Sequence, residues 1–221
     1  MLFGRTEDRK FATLSTATKK KTPWPKSEVE TVDGRRQRSD RSRRRIVEAL
    51  FDLISEGNMS PSAVNVAERA DVGLRTVFRH FEDMDSIYDE MTEKLLAAIM
   101  PKVEAPFQAT TWRERLMECV DRRAEVYEEV FPMRVSMILR YHQSEFIQEQ
   151  YKRDIALERS TLKAILPEAL VADRTLFAAL EVTLGFPTWR RLRQDQNLSV
   201  ENAKKTIRLM LEGLIANVDA D

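Results

Sequence analysis

Apolar residues recur at helical spacing along most of this chain. Ile46, Ala49, Leu50, Leu53 and Ile54 fall at i, i+3, i+4, i+7 and i+8, one stripe of a helix that begins near residue 40. Asp40 is placed to cap that helix, and Gly57 to end it as a C′ glycine. Ser60-Pro61 reads as an N-cap and an N1 proline, opening a short helix to about Ala70. Asp71-Val72-Gly73 interrupts the pattern, and a second short helix runs from Leu74 to His80 or Phe81. Two short helices joined by a tight turn containing glycine form a helix-turn-helix. Ile87, Met91, Leu95 and Ala98 carry the next core stripe, from near Asp83 to Pro101. Five further helices are predicted over 111–130, 133–142, 144–165, 170–194 and 199–218, with breaks at Pro132, near Gln143, at Pro167 and at Asn197. Gly185 and Pro187 lie inside the fourth of these and predict a kink or break.

Composition agrees with an all-α fold. The 221 residues include 6 Gly and 8 Pro, far below the roughly 12% of an average protein, too few turn formers for a sheet-rich fold. The longest purely apolar run is Leu95 to Met100, well short of the ~20 residues of a membrane span. No signal-like stretch opens the chain. The single cysteine, Cys119, excludes an internal disulfide and fits a cytoplasmic setting. With 2 His and no Cys/His cluster, the pattern offers no metal site, and the isolated glycines offer no phosphate loop or cofactor motif.

Charge changes the picture more. The 36 basic and 36 acidic side chains balance, but unevenly along the chain. Residues 1–45 carry a net +8 and residues 46–221 a net −8. The basic charge is densest at Arg35, Arg36, Arg38, Arg41, Arg43, Arg44 and Arg45. Such a block repels itself until an anionic polymer or surface neutralises it. Alone it would also read as a soluble tail. The expected organisation is a disordered basic extension over 1–38, a helix-turn-helix domain over 39–82 and a larger helical domain over 83–221.

The stretch Val66-Ala67-Glu68-Arg69-Ala70-Asp71-Val72-Gly73-Leu74-Arg75-Thr76-Val77-Phe78-Arg79-His80-Phe81 carries the function. Ala67 and Val72 are small enough for two short helices to cross closely, and Val77 and Phe81 suit a three-helix core. That leaves Arg75, Thr76, Arg79 and His80 on or beside the outward face. An outward arginine pairs with guanine in the major groove, and threonine contacts a thymine methyl. Arg79 reads equally well as a phosphate contact or a solvated charge, and His80 as a helix cap.

This stretch resembles the helix-turn-helix of the TetR/AcrR family of bacterial transcriptional regulators. The resemblance runs from about 38 to about 100, with a weaker echo over Ala178 to Ala216. It implies a homodimer that binds a palindromic DNA operator and is released by a small-molecule effector, without catalysis. It also implies that Phe78, His80 and Ser62 stand at positions touching the phosphate backbone. The chain departs from the family at Asp71, in place of the turn glycine, and at Phe78, in place of a tyrosine. Arg75 replaces a small residue, and Met84 a basic one.

By the same resemblance the larger domain senses a mostly apolar ligand and dimerises through the last two helices. Tyr127, Phe131, Met133, Met137, Tyr141, Phe146 and Phe177 are candidate pocket walls, and Arg140, His142 and Glu181 candidate polar groups. Each reads as well as core or surface. A nonspecific or architectural DNA binder using only the arginine run is the competing reading. Glu145 and Glu149, the best carboxylate pair for an enzyme, read as a solvated helix face.

Overall fold

A computed structural model describes residues 34–218. The expected extension lies outside them, save its last five residues. Those belong to the first helix, α1 (Gly34–Ser55), which begins several residues earlier than its apolar stripe. Asp40 therefore sits inside α1 and caps nothing. Gly57 does end the helix: with φ of 102° it donates to the Ile54 carbonyl, while Asn58 donates to that of Leu53. α2 (Ala63–Arg69) is capped by Ser62 rather than Ser60, so Pro61 precedes the cap. The Ser62 hydroxyl accepts from the Asn65 amide, and the Asn65 side chain accepts from the Ser62 amide.

Asp71 takes up the left-handed turn position with φ of 51°. α3 (Leu74–His80) follows, and α4 (Met84–Val103) opens on a reciprocal Asp83–Ser86 cap. Pro101 sits near the end of α4 without stopping it. Ile46, Leu50, Val66, Val77, Phe81, Ile87 and Met91 bury together as the N-terminal core. Met133, Met137 and Ile147 from farther along the chain join it.

The break expected at Pro132 does not occur. α5 (Trp112–Arg140) passes straight through it. An interior proline costs about 3 kcal/mol. Here Tyr127 and Val130 before it and Met133 and Met137 after it bury along one face, which offsets that loss. A single turn over Tyr141–Gln143 leads to α6 (Glu145–Ile165), capped by Ser144.

The helix expected over 170–194 is divided into α7 (Glu168–Ala172), α8 (Arg174–Leu184) and α9 (Phe186–Arg190), the last widening into one π turn over Arg191–Asp195. The break falls at Gly185, as Gly185 and Pro187 predict. The Leu184 carbonyl at this break accepts from Arg123 at 3.1 Å and from the Tyr127 hydroxyl at 3.0 Å. Asn197, with φ of 52°, separates this segment from α10 (Val200–Ile215). α8, α9 and α10 pack with the first half of α5 around Trp189, Phe186, Leu180 and Leu211, a second core. The fold is all-α: no strand occurs among the described residues, and none of their helices is long and apolar enough to cross a membrane.

Candidate nucleic-acid interface and neighbouring cavity

α3 buries one side and offers the other. Val77 is fully buried, while Arg75 and Arg79 on the opposite side are exposed. Phe78, 50% exposed, flanks them on one edge, and the half-buried Thr76 lies on the other. Among the described residues neither Arg75 nor Arg79 has a carboxylate partner. His80 is half-buried at the C-terminus, and its buried Nε2 lacks a hydrogen-bond partner. Burial, then the charges of Arg79 and Arg43, push the His80 pKa below its usual value.

The arginine run is not uniform. Arg36 and Arg41 are exposed and make no ion pair among the described residues. Arg43 turns onto α3 and α4. Its Nε donates to Glu90 at 2.5 Å, its Nη1 donates to the His80 carbonyl at 2.7 Å, and its guanidinium lies 4.3 Å from the Phe81 ring centre. Arg45 donates to the Asp71 carbonyl at 3.3 Å and to its carboxylate at 3.2 Å. Arg38 and Arg44 are exposed and half-buried respectively, and only the backbone of Arg35 is described. The Ser62 hydroxyl serves its own helix cap.

A cavity of about 110 Å³ lies between α4, α5 and α6. Of the residues expected to line it, Tyr127, Met133 and Met137 do. Arg140 instead pairs with Asp85 at 2.9 Å. Tyr141 borders a smaller neighbouring hollow, Phe177 belongs to the second core, and Glu181 pairs with Arg159 at 3.4 Å. Sequence reasoning missed the α4 wall of Leu95, Leu96 and Ile99, and also the charged floor.

That floor joins α5 to α6. Arg134 donates to Glu158 at 2.6 Å and lies 3.2 Å from the Asp154 carboxylate. Arg123 donates to the Glu158 backbone carbonyl at 2.6 Å and to Thr161 at 3.3 Å. Burial raises the Asp154 pKa, against the opposing pull of Arg134 and Gln150. Burial likewise raises that of Tyr127, whose phenol stays protonated and donating. Asp154, Leu157, Glu158 and Thr161 do share one helical stripe, but its mixed chemistry reads as a solvated face.

α5, which lines the cavity, also meets α4 and the loop that leads into α2. Ser136, fully buried one turn after Met133, donates to the Met59 carbonyl at 2.8 Å and lies 2.9 Å from the Tyr88 hydroxyl. Met59 is three residues before the Ser62 cap.

The arrangement matches known architectures. A transcriptional regulator from Rhodococcus sp. Rha1 superposes with TM-score 0.63 at 18% identity, over 81% of this chain and 99% of the other. A protein from Mesorhizobium loti assigned to the TetR family gives TM-score 0.54 at 19% identity, over 81% and 97%. A Clostridium perfringens protein assigned to regulation of fatty acid metabolism gives 0.56 at 16%, over 80% and 100%. The fold is that of the TetR-family regulators. No protein-family model and no curated relative matches the sequence.

Proposed function

We propose that the chain is a homodimeric DNA-binding transcriptional regulator, a repressor released from a palindromic operator by a small apolar ligand. One observation carries the reading. The exposed face of α3 presents Arg75 and Arg79 without carboxylate partners among the described residues, and α1, which packs on α3, carries the exposed Arg36 and Arg41. That combination suits base edges flanked by phosphate.

Two recognition helices must enter successive major grooves about 34–36 Å apart. The faces of α8 and α10 support a dimer. Val182 is 68% exposed and Leu209 is 70% exposed, on two helices that pack together. Their joining with a second copy's pair makes a four-helix bundle across a twofold axis. The cavity between α4 and α6 is small against the ~300–1,000 Å³ of ordinary ligand pockets. A ligand that fills it spreads α4 from α5, and so favours a different spacing of the two α3 helices.

Selection of binding sites from random DNA tests the reading, followed by competition against random duplex. The expected result is a palindrome bound far more tightly than random sequence. Each good base contact is worth about 1–3 kcal/mol, so Arg75→Ala with Arg79→Ala should weaken that site by about 30-fold or more. Equal affinity for every duplex would instead favour the architectural alternative.

A further inference from the structure

The seven arginines from Arg35 to Arg45 look alike in sequence, but their contacts sort them. Arg43 touches three elements at once. It leaves α1, binds the C-terminal carbonyl of α3 through His80, pairs with Glu90 on α4 and covers Phe81. Its cation also sits at the negative end of the α3 backbone dipole. Arg45, two residues on, holds the Asp71 carbonyl and carboxylate in the turn before α3. The start and finish of α3 are thus both tied to α1.

We propose that Arg43 is a positioning residue for base reading, with Arg45 as its counterpart at the turn, whereas Arg36 and Arg41 bind phosphate. The proposal rests on α3 being the reading helix. α3 is only seven residues long and buries little beyond Val77. Its tilt is therefore held chiefly by its ends. The Glu90 carboxylate, shared with Lys94 at 2.9 Å, neutralises Arg43 locally and withdraws it from the phosphate-facing set.

Salt dependence separates the two roles. A phosphate contact releases a counterion, so its loss lowers the slope of log affinity against log salt by about one and weakens all duplexes alike. A positioning residue, when lost, misplaces the base contacts and leaves that slope intact. The full chain is titrated over a potassium chloride series, with a duplex selected from random DNA and with a random duplex. Arg41→Ala should lower the slope by about one and weaken both duplexes equally. Arg43→Gln should weaken the selected duplex by about tenfold or more, leaving the random duplex and the slope unchanged.

Glu90→Gln is the sharper arm, and it stands if Arg43→Gln fails to fold. It removes a negative charge near the DNA, which simple electrostatics says must tighten binding. The proposal requires it to loosen the selected duplex, as Arg43→Gln does. A lowered slope with equal loss on both duplexes for Arg43→Gln overturns the proposal, as does tighter binding by Glu90→Gln. Absence of any sequence preference in the unaltered protein overturns the base-reading assignment beneath it.

Discussion

The N-terminal core and the cavity floor hold their helices together by different means. Around Leu50, Val66 and Val77 the core is apolar apart from the buried Tyr88–Ser136 pair, and Ser62, Asp83 and Gly57 satisfy helix ends locally. Around Tyr127 the half-buried Arg134 pairs with Asp154 and Glu158 across α5 and α6, and the buried Arg123 donates to the Glu158 backbone carbonyl. The first kind of core holds by apolar contact, which needs no aligned charge pairs. The second holds only while its partners stay aligned, which suits the ligand response proposed for this region.

The largest test of this contrast is Arg134→Met. It leaves two half-buried carboxylates beside each other, so a loss of up to about 3 kcal/mol is expected in urea unfolding. A loss below 1 kcal/mol would mean that water already reaches the floor. Leu50→Ala in the apolar core should cost about 2–5 kcal/mol with no change in the cavity region's hydrogen exchange. Ser136→Ala removes the hydroxyl that joins Tyr88 to Met59. A cost of about 1–3 kcal/mol is expected, with faster amide exchange at 58–62. Unaltered exchange there would show that α5 and the helix-turn-helix are not coupled at this point.

Smaller effects remain. Ser62→Ala should cost about 1 kcal/mol through the lost cap. For His80 the folded pKa lies below the unfolded 6.5. The unfolded chain therefore binds its proton first, and stability falls as pH drops through 6.5 toward the folded value, with no effect above it. Proton NMR of the imidazole should titrate below 6.5, and a higher midpoint would contradict the burial seen here.

Legibility followed the same division. Val77 and Phe81 inward, Arg75 and Arg79 outward, the left-handed Asp71 and the break at Gly185 could all be read from residue order. Each depends on neighbours within a few positions. Pro132 misled because its local penalty is outweighed by packing on both sides of it. Asp40 misled because a helix of arginines continues past the apolar stripe. Phe177 and Glu181 were expected at the cavity, yet α8 places Phe177 in the second core and Glu181 against Arg159.

Sequence alone determined the all-α class, the helix-turn-helix and the outward chemistry of α3, because backbone propensity, capping and stripe periodicity act over one or two turns. Tertiary structure decided which arginines of α1 engage α3 and its turn, where the cavity lies and which hydroxyl ties α5 to α4 and the loop before α2. Those depend on atoms tens of residues apart, whose meeting is set by how whole helices pack, and no local pattern records it.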